Sequence, residues 1–117
     1  MTQSLRGCIG CLAVALGGTA AAQPQRPEQR QIDALLRAVA TSGCQVERNG
    51  NLHSASDAEA HLRMKLERAG ARVQTARQFI DHVASGSSVS GKPYRMVCPG
   101  QPVVDAKPWL QARLRAQ

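Results

Sequence analysis

A chain of 117 residues is long enough for one small domain and too short for several. It carries 15 lysine and arginine residues against 8 acidic ones, and this net charge of +7 favours acidic partners. Its single phenylalanine, tyrosine and tryptophan are too few for the base-stacking platform of a nucleic-acid-binding protein, so no nucleic acid is predicted as a partner.

The first 22 residues have the pattern of a secretory signal peptide. Arg6 supplies a positive charge, residues 8–16 form a short apolar run, and Ala20-Ala21-Ala22 matches the small-residue cleavage site. The run is too short to cross a bilayer, which takes roughly 20 residues. We therefore predict a periplasmic protein, cleaved after Ala22, with no transmembrane segment in the mature chain.

After the cleavage site, residues 23–30 are polar and contain proline, which predicts a mobile leader. Residues 31–117 are predicted to form a single domain. Its first helix should bury one apolar face, whose residues recur at i, i+3, i+4 and i+7: Ile32, Leu35, Leu36 and Val39.

A β-hairpin is predicted next, because Asn49-Gly50 favours a two-residue turn in which both residues adopt positive φ. The alternative is an ordinary loop. In the hairpin, we expect Cys44, Val46 and, across the turn, Leu52 to share the inward face.

Two further helices are predicted, each starting with a capping box. The boxes are Ser56 with Glu59 and Thr75 with Gln78. The apolar faces of these helices are Ala58, Leu62, Leu66 and Ala69 in the first, and Ala76, Phe79, Ile80 and Val83 in the second.

The remaining elements are a strand and a final helix. Residues 93–98 predict a strand with Tyr94, Met96 and Cys98 on one face. A helix should then start near Asp105, with Pro108 in its first turn. This order predicts an α+β fold, with about four helices packed on a short antiparallel sheet made of the hairpin and the later strand.

Two cysteines remain after signal cleavage, Cys44 and Cys98. An even pair in an oxidising compartment predicts one disulfide, which would staple a domain with a small core. Two free buried thiols are the alternative.

Residues 86–92, GSSVSGK, have the spacing of a phosphate-binding loop. Such a loop follows a strand and opens a helix, whereas here a helix precedes it and a strand follows. The residue after Lys92 should carry a hydroxyl group, and it is Pro93. The sequence therefore argues against nucleotide hydrolysis. It leaves open a loop that binds an anion through Ser88, Ser90 and Lys92, or an ordinary solvated loop.

A second candidate anion site is a basic stripe on the predicted helix after Ser56. Its members recur at i, i+4, i+7 and i+11: His61, Lys65, Arg68 and Arg72. We expect these side chains to face solvent, either as an anion-binding surface or as the solvated side of an amphipathic helix.

Catalytic and metal chemistry find little support. His53, His61 and His82 have no metal-ligand spacing, so we predict no metal site and no cofactor. A serine of residues 87–90 could serve a small hydrolase only if the fold added a histidine and a carboxylate. Asp81 and His82 are neighbours on a helix and diverge.

Several segments together resemble one protein family. CQVERNG, AEAHLRMK, QFIDHVASGSSVSGKPYRMVCPG and WLQARL, in this order after a signal peptide, are similar to the YfeK-like family of small proteobacterial periplasmic proteins of unknown function. The resemblance covers nearly all of residues 28–117 and implies one domain in the periplasm. It implies no activity.

These observations favour a non-enzymatic binding or envelope-maintenance protein. Its basic surface would meet an anionic envelope component or an acidic protein. The alternative is a small serine-dependent hydrolase built on the 87–90 loop.

Overall fold

The computed structural model describes residues 25–117, so the predicted signal peptide and its cleavage site lie outside the described residues. The elements follow in the order α1 (Pro27–Ala40), β1 (Gln45–Arg48), β2 (Asn51–His53), α2 (Ala55–Ala69), α3 (Ala76–Phe79), β3 (Arg95–Val97), β4 (Val104–Asp105) and α4 (Ala106–Arg115). A 3₁₀ turn at Gly70–Arg72 follows α2, and a π-helical segment at Ile80–Ala84 continues α3. The predicted α+β class is confirmed.

The sheet has four antiparallel strands in the order β2-β1-β3-β4. β1 pairs with β2 across the hairpin and with β3 on its other side. β4 is a strand that we did not predict: Val104 pairs with Met96, directly before α4 begins. Two residues are too few to form a period-2 pattern, so the sequence carried no signal for this strand.

The hairpin turn is confirmed, but one expected core residue is not. Asn49 and Gly50 have φ values of 52° and 83°. In this register Val46 lies opposite His53. Because successive strand residues point to opposite faces, Leu52 lies on the face away from Val46. The inward placement of Leu52 was therefore wrong: the residue is 53% exposed, whereas Val46 is buried.

The start of α2 also differs from the prediction. Its N-cap is Ser54, whose hydroxyl accepts a hydrogen bond from the Asp57 N–H at 3.1 Å. The capping box of Ser56 and Glu59 was wrong, because Ser56 lies inside the first turn and Glu59 forms an ion pair with Arg63.

The start of α3 agrees with the prediction, and that of α1 lies earlier than predicted. The capping box of Thr75 and Gln78 at the start of α3 is confirmed. α1 begins at Pro27, so the segment 23–30, expected to be a leader, contributes its last four residues to this helix. Proline is tolerated at a helix start because its missing N–H would have no partner there.

The core lies between the helices and one face of the sheet. All four predicted residues of the α1 face are buried, as are Ala58 and Leu62 of α2, while Leu66 and Ala69 are half-buried. The segment from α3 through the π-helical turns contributes Phe79, Ile80 and Val83, each at most 2% exposed.

The predicted disulfide is present. Cys44 and Cys98 join the residue before β1 to the residue after β3, with their Cα atoms 4.2 Å apart. Tyr94 and Met96 are buried on the predicted face of the strand. In the part of the chain from residue 25 onward, no helix has both the length and the apolar composition needed to cross a membrane.

Candidate functional site

Two adjoining clefts lie beside α2, and both are lined by cationic side chains. The inner cleft, of about 170 Å³, includes Arg48, His61, Lys65, Arg68, Ser88 and Tyr94 in its lining. The outer cleft, of about 500 Å³, includes Lys65, Arg68, Arg72, His82 and Ser88. The two share Lys65, Arg68 and Ser88, so they form one continuous basic depression.

The fold brings together most of the residues predicted to bind an anion. His61, Lys65 and Arg68 lie one to two turns apart on α2, and Arg72 follows in the 3₁₀ turn. Ser88 reaches them from the loop at 86–92. Ser90 and Lys92, the other two predicted residues, line neither cleft.

Lys65 differs from the expectation that the whole stripe faces solvent. Its ammonium group donates to the Val83 carbonyl at 2.7 Å, the Gly86 carbonyl at 2.8 Å and the Tyr94 hydroxyl at 2.9 Å. Val83 lies near the end of the π-helical segment, where carbonyl groups lose their helical donors. Burial, and secondarily Arg48, lowers the pKa of Lys65. All three ammonium protons are thus committed inside the protein.

Tyr94 and His61 form the wall of the inner cleft. Tyr94 is 3% exposed, and burial raises its pKa against a smaller opposing effect of Arg48. Its ring meets the His61 ring edge-on, with 6.4 Å between centroids. Burial and then the nearby cations, Arg48 first, lower the pKa of His61 and so favour the neutral form of this imidazole.

The positive charge of the clefts is not balanced locally. No aspartate or glutamate belongs to the lining of either cleft. The four ion pairs found in residues 25–117 lie elsewhere: Arg63–Glu59, Arg95–Glu47, Arg95–Asp105 and Lys107–Asp81. Arg72 donates to the Ala69 and Arg68 carbonyls at the end of α2, which leaves Arg48 and Arg68 as the freest guanidinium groups.

The 86–92 loop is closed by its own hydrogen bonds. The N–H groups of Val89 and Ser90 donate to the Ser87 hydroxyl at 3.2 and 3.1 Å. Gly91 N–H donates to the Ser87 carbonyl, and Lys92 N–H to the Ser90 hydroxyl. Among the N–H groups of residues 87–92, only that of Ser88 has no acceptor within residues 25–117, so the backbone does not offer a cradle of several free N–H groups for a phosphate.

Asn49 of the hairpin turn holds this loop in place. Its amide donates to the Ser87 hydroxyl at 3.3 Å, and its carbonyl oxygen accepts from the Ser90 hydroxyl at 2.6 Å. The sequence indicated a turn residue here but not this second contact, because the partners are 38 and 41 residues away.

The geometry offers no support for hydrolase or metal chemistry. Ser88 shares the clefts with His61 and His82, but the carboxylate that would orient a histidine is missing from both linings. Within residues 25–117, no three side chains among His, Cys, Asp and Glu gather as a metal site would require.

Sequence reasoning missed Arg48, which belongs to β1. Nothing in its local sequence separates it from other polar strand residues. It reaches the stripe on α2 only because the sheet positions β1 beside that helix.

Comparison with known proteins agrees with the resemblance of the segments quoted above. Residues 26–117 match a model described as a family of unknown function, DUF5329. A relative from Salmonella typhimurium strain LT2, described as "Uncharacterized protein YfeK", is 45% identical over 89 residues, which is 74% of this chain and 74% of the relative. No solved structure matches the chain. Because the family model spans most of its length, the chain belongs to DUF5329, a family of unknown function.

Proposed function

We propose that this protein is exported to the periplasm, where it acts as a non-enzymatic binding protein that holds an anionic envelope component against its basic clefts. The observation that carries the proposal is the set of four cations, Arg48, Lys65, Arg68 and Arg72, lining one depression that has no carboxylate in its lining. Such an arrangement raises the local potential and attracts anions.

Export is supported by two separate features. Residues 1–22 have the signal-peptide pattern, and the Cys44–Cys98 disulfide is the kind of bond that persists in oxidising compartments. The same address favours envelope anions over nucleotides or nucleic acids as partners.

The charge pattern favours weak and reversible binding. Exposed cations near an anionic surface contribute about 1 kcal/mol each, and their effect falls over a Debye length of roughly 8 Å at physiological salt. Two arginines without internal partners in the described residues, and two cations that donate to groups of the protein, therefore support retention that salt can reverse.

The test compares two double variants that lose the same charge. The first variant, Arg48→Gln, Arg68→Gln, removes the two guanidinium groups of the basic clefts that have no internal partner in the described residues. Arg77→Gln, Arg115→Gln is the matched control, at a separate cleft whose lining includes Asp81. Retention is measured by co-sedimentation with phosphatidylglycerol vesicles and with fragments of an anionic wall polymer at low salt. We expect the first variant to lose retention by on the order of tenfold, and the control to lose much less.

Both variants should keep the thermal midpoint of the parent, because none of the four arginines forms an ion pair within residues 25–117 and charges near the surface contribute little to stability. Equal retention of the two variants, or no retention of the parent on either material, would contradict the proposal.

A further inference from the structure

Tyr94, which belongs to the lining of the inner cleft, has a hydroxyl group whose proton has no acceptor among residues 25–117. Tyr94 is 3% exposed, and its hydroxyl oxygen accepts the Lys65 ammonium at 2.9 Å. Among the hydrogen bonds of residues 25–117, the Tyr94 hydroxyl accepts and does not donate. Buried polar groups nearly always find partners, so a spare donor at the wall of a cleft is typical of a position that a ligand or water completes.

Positive charge surrounds this donor from two elements. Arg48 projects from β1 and Arg68 from α2, and both line the inner cleft with Tyr94. Neither guanidinium takes part in an ion pair or a side-chain hydrogen bond within the described part of the chain. Lys65 adds charge, but its three protons already have acceptors, so it has none to offer a ligand.

We propose that the inner cleft binds a phosphoryl group, with the Tyr94 hydroxyl donating to one oxygen, Arg48 and Arg68 donating to others, and the Ser88 hydroxyl at its rim. The inference rests on the proposed function, since it names the chemistry recognised by the same depression. It makes Tyr94 one of the ligand-binding residues and Lys65 the residue that positions the Tyr94 hydroxyl.

The placement of the donors favours a phosphoryl group over a carboxylate. They come from β1, α2, the residue directly before β3 and the 86–92 loop, so they approach a central anion from several directions. A tetrahedral phosphoryl group can accept on oxygens that point to different sides, and it carries up to two charges. A carboxylate presents two oxygens in one plane and one charge. Guanidinium groups pair well with either anion, so the directions of the donors and the charge of the anion are what favour a phosphoryl group here.

Binding should also leave a trace on His61. Arg48, Lys65, His53 and Arg68 all lower its pKa, alongside burial, which is the largest cause. A bound anion would offset these cations, so the pKa of His61 should rise when phosphate binds. Phosphate bound elsewhere on the surface, away from these cations, would not produce this coupling.

The experiment titrates inorganic phosphate into the purified protein and follows the His61 ring resonances by NMR, with acetate and chloride as comparison anions. We expect saturable binding of phosphate, weaker effects of the other anions, and an upward shift of the His61 pKa in the complex. Tyr94→Phe, which keeps the ring, should weaken phosphate binding at least about tenfold, because it removes a hydrogen bond to a charged group. Arg48→Gln should weaken it too, while Arg77→Gln should not.

Two sources could supply the phosphoryl group. If phosphatidic acid vesicles compete with phosphate for the protein, the phosphoryl group belongs to a lipid headgroup. If such vesicles leave phosphate binding unchanged, it belongs to a soluble phosphate or phosphate ester.

Phosphate that binds folded Tyr94→Phe as tightly as the parent, or acetate that binds as tightly as phosphate, would overturn the inference. So would a parent protein that is retained on anionic vesicles but shows no saturable phosphate binding. That last result would leave the proposed function standing. The reverse pattern, with phosphate bound and no retention on vesicles or wall fragments, would contradict the proposed function alone.

Discussion

Lys65 has the spacing of a surface cation but uses its charge in hydrogen bonds inside the protein. On sequence spacing alone it belongs with Arg68 and Arg72 as one of the cations on a helix face. In the fold its ammonium group satisfies the Val83 and Gly86 carbonyls and the Tyr94 hydroxyl. Its long apolar stem allows the charge to reach these oxygens from a helix surface. A variant aimed only at surface charge should therefore leave Lys65 unchanged.

Replacing Lys65 with methionine should destabilise the protein. The change keeps a long apolar stem but leaves two carbonyl groups and a buried hydroxyl without their donor, which costs about 1–3 kcal/mol. Urea unfolding measures the loss, with Lys92→Met as the control, because Lys92 is exposed and its ammonium forms no hydrogen bond among residues 25–117. An equal, small effect of the two substitutions would mean that the Lys65 contacts contribute little.

At the scale of elements, the hairpin turn and the 86–92 loop form one unit. The β1–β2 hairpin places its turn at Asn49 beside the loop, and the asparagine side chain forms hydrogen bonds with Ser87 and Ser90. Asn49 therefore contributes in two ways, through its positive φ and through its side-chain hydrogen bonds. Glycine would satisfy only the first of these. The unit holds Ser88 at the rim of both clefts.

Asn49→Gly should release the loop while preserving the turn. Hydrogen–deuterium exchange at the Val89, Ser90 and Gly91 amides should accelerate, and stability should fall by about 1 kcal/mol for the lost hydrogen bonds. The control is Asn51→Ala, at an exposed asparagine without a side-chain hydrogen bond in the described residues. Unchanged exchange in the loop of Asn49→Gly would show that other contacts hold it.

At the scale of the whole molecule, the disulfide closes the part of the chain that contains the site. Cys44 and Cys98 bracket β1, β2, α2, α3 and the 86–92 loop, and their separation in sequence is 54. Every residue lining the basic clefts lies between Cys44 and Cys98 in the sequence. A covalent closure of this length mainly restricts the unfolded chain.

A Cys44→Ala, Cys98→Ala variant should lose about 4 kcal/mol of unfolding free energy, as the chain-entropy model gives for a loop of this length. Chemical denaturation of parent and variant, each with and without reductant, measures the effect. Reductant should destabilise the parent and leave the variant unchanged. Two titratable thiols in unreduced protein that lacks residues 1–22, and with them Cys8 and Cys11, would contradict the assignment.

Sequence patterns were sufficient for features set by near neighbours. The apolar face of α1, the Asn49-Gly50 turn and the Thr75 capping box each depend on residues within a few positions, and all three are confirmed. The exposure of Leu52 could have been predicted as well, because a two-residue turn fixes which residues face each other. Neither the β4 strand nor the choice of Ser54 over Ser56 as N-cap was marked strongly enough by its local sequence.

The sequence by itself determined the α+β class, the disulfide and the presence of a cationic stripe on one helix. Only the tertiary structure decided which of those cations are available. Lys65 is engaged because the π-helical segment and Tyr94 pack against α2, and Arg48 joins the site because β1 lies beside that helix. Helix periodicity and turn chemistry act over a few residues. Desolvation and hydrogen bonding of a side chain instead depend on segments that only folding brings together.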